Sequence, residues 1–267
     1  MKNSNFNQYL SIWILFFGFV IVFKPCQLQA QPDITWRVGL NAPSLSDDET
    51  NIFARDYKSN PSLEVAFGLD FSLSERLSVN PEIVYTTRSG KRQGVQPIPS
   101  NALPQEFRQI IGEGTVLFAD FTTVSSPSYL DFPVILKYRF TNPSQRFTFF
   151  LEGGFQIGFL LNAKLNTSGN STIFLDEGGD NALPLPPPIP TGFEFNFNRT
   201  ENRSDILHKI NYGIQYGLGM EYAFISDSKL LIDIRVAQGV KSIQKNPDFG
   251  RSKVGGVVFS IGYITPF

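Results

Sequence analysis

The sequence is poor in charge, and it has one histidine, one cysteine and two tryptophans in 267 residues. Charged residues make up 18% of the chain, below the quarter or so that is usual in soluble domains. The net charge is −1 and no run of basic residues occurs, so the chain lacks the positive field that nucleic acid requires. With no cluster of residues at metal-ligand spacing either, we expect no nucleic-acid partner, no metal site and no cofactor.

The first thirty residues are typical of a secretory signal peptide. Lys2 supplies the positive start, and the apolar run at residues 12–23 is shorter than the roughly 20 residues of a transmembrane helix. Small residues precede a cleavage site after Ala30, which predicts a leader at residues 1–30 and a mature domain at residues 31–267. A short membrane anchor is the alternative.

The sole cysteine, Cys26, lies inside this leader. A lipoprotein attached through Cys26 is a second alternative, but the preceding Phe23, Lys24 and Pro25 are not the small apolar residues of a lipoprotein signal. If cleavage follows Ala30, the mature chain has no cysteine, and disulfides and catalytic thiols are excluded.

Aromatic residues are abundant, with 26 phenylalanines, and they recur at every second position. Eight segments show this period of two, which is the pattern of β-strands with one apolar face. The segments are residues 35–41, 63–71, 77–86, 129–140, 147–161, 211–224, 229–238 and 257–267.

The connections between these segments alternate between short and long. Residues 72–76, 141–145 and 225–228 are short, whereas residues 42–62, 88–128, 162–209 and 239–253 are long. Outer-membrane barrels have tight periplasmic turns and long external loops in this order. The sequence therefore predicts an all-β, eight-stranded, antiparallel up-and-down transmembrane barrel in the bacterial outer membrane.

A soluble barrel would share the alternation, but its apolar face would point inward. Glycine is frequent on the polar faces of the segments, as at Gly154, Gly158, Gly213 and Gly217. Glycine weakens a strand on an open surface and suits the narrow interior of an eight-stranded barrel. We therefore expect the apolar face to contact lipid and the polar face to line the lumen. Pro81 and Pro133, which each remove a ladder donor, are not explained by the pattern.

The predicted inward face carries charges of both signs. They could form a narrow path for ions or small solutes, or a salt-bridged plug; eight strands leave little room for water, which favours the plug. The predicted lumen charges are Arg37, Glu64, Asp70, Glu82, Asp131, Lys137, Arg139, Glu152, Glu221, Asp233 and Arg235.

The segment at residues 257–267 ends on an aromatic residue, and its apolar face is nearly continuous. Phe259, Ile261, Tyr263 and Phe267 lie on this face. We expect them to contact lipid and to serve as the signal that the barrel-assembly machinery recognises.

Three stretches carry a family resemblance: Tyr129-Leu130-Asp131-Phe132-Pro133 with Lys137-Tyr138, Leu151-Glu152-Gly153-Gly154, and residues 212–221 with 231–235 and 239–240. They resemble strands of the PorT-like outer-membrane β-barrel family of Bacteroidetes. The chain departs from the family at Asp131, where glutamate is commoner, and in its long second and third external connections. The resemblance implies an outer-membrane barrel with a possible link to protein secretion or envelope assembly, and it implies little about activity.

The long connections are the candidate functional surface. We expect a protein partner at residues 88–128 and 162–209, which include the proline-rich residues 183–190, or alternatively loops that pack on each other. His208 near Ser204 and Asp205 would be the basis of a membrane-surface enzyme, but no nucleophile motif surrounds it. A solvated loop histidine is the favoured interpretation, and we expect no catalysis.

Overall fold

The computed structural model describes residues 31–46, 51–98, 115–140, 146–185, 190, 192–224 and 227–267. The predicted signal peptide at residues 1–30 lies outside the described residues. Within the described part of the chain, no helix has the length and apolar character needed to span a membrane.

Eight long antiparallel strands form a closed ring, in which consecutive ring strands pair with each other and the last strand pairs with the first. The last strand pairs with the first over fourteen residues, from Asp33↔Pro266 to Ser46↔Lys253, so the ring has no open edge. The ring strands are β1 (Asp33–Ser46), β2 (Ser62–Ser72), β3 (Leu77–Thr87), β4 (Leu117–Arg139), β5 (Phe147–Ser168), β6 (Ile210–Ala223), β7 (Lys229–Gly239) and β8 (Lys253–Pro266). The predicted fold class is confirmed.

The apolar face of each strand points away from the ring, as the sequence predicts. Phe155 is 76% exposed and Leu218 is 58% exposed, whereas Lys137 and Asp131 on the other face are fully buried. An exposed band of this kind is unfavourable in water and favourable in hydrocarbon. The soluble-barrel alternative is therefore wrong.

Aromatic rings form a belt at the inner end of the barrel, which is the end with the short connections. Phe147 and Tyr222 lie 4.9 Å apart between ring centroids, Tyr222 and Phe224 lie 5.4 Å apart, and Phe224 and Tyr263 lie 6.4 Å apart. Such a belt is the usual girdle of a barrel at the membrane interface.

The two mid-strand prolines lie where the hydrogen-bonded pairing between neighbouring strands is interrupted. Pairing between β2 and β3 passes from Gly68↔Glu82 to Phe71↔Val79 and so steps over Pro81. Pairing between β3 and β4 passes from Pro81↔Val134 to Val84↔Asp131 and so steps over Pro133. Each proline thus lies beside a local gap in the ladder, where its missing N–H group removes no bond on that side.

The two longest connections were predicted as loops, and this prediction is wrong in part. Residues 117–128 belong to β4 and residues 162–168 belong to β5, and the strand Ser89–Ile98 pairs with β4 along this extension. The residues there do not alternate between apolar and polar side chains: residues 117–119 (LFA) are all buried, and residues 122–126 (TTVSS) are polar apart from Val124. A strand outside the bilayer has no lipid-facing side, so the alternation that marks the other segments is missing.

Shorter strands complete a sheet beyond the outer end of the ring. Arg199–Asn202 pairs with β5, and Lys58–Asn60 pairs with Ser89–Ile98. Phe195–Asn196 pairs with Asn170–Ser171. The other elements in the described ranges are the strand Ile173–Phe174, paired with β4, and a 3₁₀ helix at Pro247–Phe249.

Candidate functional site

The inner third of the lumen holds a four-membered ion cluster. The ammonium of Lys137 lies 3.3 Å from Asp70 Oδ2 and 3.2 Å from Glu221 Oε1. The guanidinium of Arg139 donates to Asp70 Oδ2 at 2.8 Å and to both oxygens of Glu221 at 3.1 Å. Strands β2, β4 and β6 supply these side chains, so the cluster links three different walls of the barrel.

A second ion cluster crosses the middle of the lumen. Arg235 on β7 donates to Glu152 at 2.5 and 3.0 Å and to Glu82 at 2.8 Å. Arg37 on β1 donates to the same Glu82 oxygen at 2.5 Å and lies 3.6 Å from Asp233 Oδ2. The two arginines therefore share one carboxylate at the centre of the barrel.

The outer third of the lumen contains fewer ion pairs among the described residues. Arg88 forms an ion pair with Asp131, and its guanidinium lies 5.3 Å from the centroid of the Tyr129 ring. Glu64 is buried opposite Thr86 and has no ion-pair partner within 4 Å among the described residues.

Apolar side chains close the lumen on both sides of these clusters. Phe150, Leu231 and Ile264 pack together at the inner end, where the Lys137 ammonium lies 4.7 Å from the centroid of the Phe150 ring. A second group closes the outer end and consists of Tyr129, Leu160, Ala163, Leu207, Ile243 and Val254. Isolated buried charges would be very costly, whereas paired charges between apolar layers form a stable plug.

All eleven predicted lumen residues lie inside the ring with at most 8% of their surface exposed. Arg88 was predicted to lie in a loop and was not included among the lumen charges. It follows Thr86 by two positions and so shares the inward face of Glu82 and Thr86 in β3. Extending the alternation by one further step would have found it. The predicted assembly-signal residues lie outside, with Phe259, Ile261, Tyr263 and Phe267 all exposed.

The sheet beyond the ring has a hydrophobic core of its own, which we call the outer core. Phe121 and Phe197 stack over it with ring centroids 4.8 Å apart, and the proline-rich segment contributes Leu183, whose N–H donates to Ile173 O at 2.8 Å. The outer core consists of Ile98, Leu117, Ala119, Ile173 and Leu183, flanked by Phe121, Leu185, Phe195 and Phe197.

Residues 51–57 lie across the outer mouth and are held from three sides. Arg92 donates to Ile52 O at 2.8 Å, and Asn51 donates to Asp248 O at 3.0 Å. Arg55 forms an ion pair with Glu177. These bonds tie the connections between β1 and β2, β3 and β4, β5 and β6, and β7 and β8 into one folded unit.

The residues around His208 are not arranged as a catalytic triad. The Ser204 hydroxyl donates to Asn202 Oδ1 at 2.6 Å, and the Asp205 carbonyl accepts from the Lys245 ammonium. Slight burial, together with the positive charges of Lys241 and Lys245, lowers the pKa of His208. Within the described residues, no hydrogen bond joins the Ser204 hydroxyl or the Asp205 carboxylate to the His208 imidazole.

Comparison with known proteins gives a family and several similar barrels. The family described as "Outer membrane protein beta-barrel domain" matches residues 29–245, which is most of the chain. No curated protein matches the chain.

Among solved structures, Neisserial surface protein A is similar at a TM-score of 0.41 and 10% identity, covering 88% of this chain and 97% of its own. The attachment invasion locus protein Ail of Yersinia pestis, in complex with a heparin analogue, gives 0.34 and 12%, with 88% and 99% covered. The outer membrane protease OmpT from Escherichia coli gives 0.41 and 11%, with 88% and 97% covered.

Proposed function

Since the chain belongs to the outer membrane protein β-barrel domain family, and so lies in the lipid of the bacterial outer membrane, we propose that it acts there as a binding protein. The barrel anchors an ordered extracellular sheet, and this sheet binds a protein partner outside the cell. The protein is not an enzyme, and its lumen is a structural plug.

The observation that carries this proposal is the folded outer unit. Strand β4 has 23 residues and β5 has 22, about twice the 9–11 residues that a tilted strand needs to cross a bilayer. The excess forms a sheet with its own buried core, and loops on a rigid scaffold are the usual place for binding residues. Exposed apolar side chains on this unit, Leu175 and Phe193, supply contact surface for a partner.

A photo-reactive amino acid at Leu175 or Phe193 should give a discrete protein adduct in intact cells. Both side chains are 44% exposed on the outer unit. The adducts are measured by immunoblotting and mass spectrometry. The same amino acid at Leu73, 39% exposed at an inner turn, serves as the control for non-specific capture.

Ile173→Asp provides the second arm, because it places a charge in the outer core, where Ile173 is 1% exposed, and leaves the ring strands intact. We expect the adduct to disappear while the barrel stays folded. The absence of any adduct from the two outer positions, or an identical adduct from Leu73, would contradict partner binding by the outer unit.

Planar-bilayer recordings should show no single-channel steps, because ion clusters and two apolar layers fill the lumen. Reconstituted protein at several voltages gives this measurement, with a porin of known conductance as the positive control. Reproducible steps from the wild-type protein would support the alternative of a narrow pore and contradict a plug.

The finer family assignment is also part of the proposal. The PorT-like strands around Pro133 and Gly154, together with the plugged lumen, support a role in envelope assembly or secretion. We further propose that residues 1–30 are the export leader and that Phe259, Ile261, Tyr263 and Phe267 direct insertion by the barrel-assembly machinery.

A further inference from the structure

The charges on the outer end of the barrel are separated by sign. Residues 203–209 and 239–253, which connect β5 to β6 and β7 to β8, contain six lysines and arginines against two aspartates. The short strands at residues 170–171, 173–174, 195–196 and 199–202, which we call the distal sheet, belong to a stretch of sequence, residues 170–201, that contains one arginine against five acidic residues. One side of the outer end is therefore strongly basic while the distal sheet is acidic.

The two basic connections are bonded to each other and hold their cations in one place. The Lys245 N–H donates to Ile206 O at 3.1 Å, and the His208 N–H donates to Ile243 O at 2.7 Å. A further bridge joins Leu207 and Gln244. These bonds bring residues 243–245 against residues 206–208, and the positive charges of Lys241 and Lys245 both contribute to lowering the pKa of His208.

Most cations of this region are exposed and form no ion pair within the described part of the chain; the exception is Arg203, which is half-buried and forms an ion pair with Glu201 at 2.5 Å. We call all of these cations the basic rim: Arg203, Lys209, Lys241, Lys245, Arg251 and Lys253. Lys209, Lys241 and Lys253 are exposed and form no ion pair within 4 Å among the described residues. The Lys245 ammonium donates to the backbone carbonyl of Asp205 and forms no ion pair within the part of the chain that the structure describes. The basic rim thus presents several positive charges that the protein itself leaves uncompensated.

The lipid-facing wall begins directly beneath the basic rim. Ile210 and Tyr212 on β6 are 41% and 46% exposed, and Val240 at the end of β7 is 54% exposed. The Val240 N–H donates to Tyr212 O at 2.9 Å, so the two apolar side chains belong to adjacent strands at the same height. The outer surface therefore changes within a few residues from apolar to cationic, at the level where lipid headgroups lie.

We propose that the basic rim binds the phosphate-bearing headgroup of an anionic lipid in the outer leaflet, with the acyl chains against Ile210, Tyr212 and Val240. The positive charge of the basic rim and its position at the level of the headgroups both favour an anionic lipid. Cations beside an apolar wall match an anionic amphiphile, and each basic residue close to a membrane surface adds about fivefold to the affinity for anionic lipid. The acidic distal sheet is repelled by the same headgroups, so bound lipid holds that sheet away from the membrane surface.

A single tryptophan placed at the site tests this proposal. The full chain carries only Trp13 and Trp36, so the triple variant Trp13→Phe, Trp36→Phe, Val240→Trp reports from the site alone. The protein is reconstituted in phosphatidylcholine vesicles that contain increasing fractions of brominated phosphatidylglycerol or brominated phosphatidylcholine. We expect half-maximal quenching at an at least fivefold lower fraction of the brominated phosphatidylglycerol, and we expect added sodium chloride to reduce this preference.

Charge variants in the same background separate a specific site from general contact. Lys241→Gln with Lys245→Gln should lower the preference toward one, whereas Lys241→Arg with Lys245→Arg should retain it. The matched control is Lys58→Gln with Lys91→Gln, an exposed cross-strand lysine pair elsewhere on the outer sheet, which should leave the preference unchanged.

Two outcomes would overturn the proposal. Equal quenching by the two brominated lipids, or a preference that survives neutralisation of Lys241 and Lys245, would show that the basic rim does not select the headgroup. Displacement of phosphatidylglycerol by millimolar sodium phosphate, beyond that by sodium chloride at equal ionic strength, would show a site for free phosphate ions and not for lipid.

Discussion

Gly154→Ala should lower the free energy of unfolding by about 3 kcal/mol, the upper end of the usual cost of overpacking, because the added methyl group meets backbone atoms. A Cβ atom at this position would lie 2.0 Å from the carbonyl oxygen of Val134 and 2.9 Å from the Cα of Ile135. Both neighbours are backbone atoms of β4, which is paired with β5 on this side, so neither can move without breaking the ladder. Urea unfolding in detergent micelles, followed by far-ultraviolet circular dichroism, gives the measurement.

The adjacent glycine provides a matched control for this change. A Cβ at Gly153 would meet nothing nearer than 3.6 Å, because this residue points to the opposite face of the same strand. We expect Gly153→Ala to leave stability unchanged or to raise it by about 0.5 kcal/mol, since alanine restricts the unfolded chain. Equal stability of the two variants would show that β4 and β5 approach each other less closely at Gly154 than the structure indicates.

The face of each strand that points outward could be predicted from sequence, because one face contacts hydrocarbon and the other lines a polar lumen. Where a strand crosses hydrocarbon, every second residue must be apolar, so Phe155, Ile157 and Phe159 alternate with Gln156 and Gly158. The same alternation placed all eleven charges in the lumen without any knowledge of their partners.

The strand extensions and the pairing of the lumen charges could not be predicted, because contact with hydrocarbon does not determine them. Beyond the bilayer both faces of β4 contact water or protein, so residues 117–128 show no regular period and resemble a loop in sequence. The pairing of lumen charges is likewise set by the closure of the ring: Arg37 and Glu82 lie 45 residues apart, and Arg235 lies 153 residues from Glu82. A single sequence gives the face of each charge but not its partner across the barrel.

The plug also explains why the barrel can be both narrow and rich in charge. Ion pairs link β1 to β3 and β7, and β4 to β2 and β6, so opposite walls are joined through the interior as well as around the ring. A scaffold fastened in this way keeps the outer sheet in a fixed position relative to the membrane. The binding surface that we propose outside the bilayer depends on this rigid connection to the barrel.

Arg235→Met should reduce the free energy of unfolding by about 3–5 kcal/mol, because it leaves buried carboxylates without their cation. Arg235 is 2% exposed and supplies both hydrogen bonds that Glu152 receives from the central cluster, along with one of the two arginine contacts to Glu82. Methionine retains the length and apolar stem of arginine, so packing changes little and the loss reports on charge. Urea unfolding in detergent micelles, with the folded fraction read from circular dichroism, gives the measurement.

Two further variants show whether the loss arises from an unpaired buried charge. Arg235→Met combined with Glu152→Gln removes the stranded carboxylate, and we expect the double variant to be more stable than Arg235→Met alone, a non-additive result typical of contacting groups. Arg199→Gln breaks the exposed pair with Glu201, at 3.1 Å, and should cost less than about 1 kcal/mol. A loss below about 1 kcal/mol for Arg235→Met would mean that water enters the lumen and solvates the cluster, and the plug would then no longer account for a closed barrel.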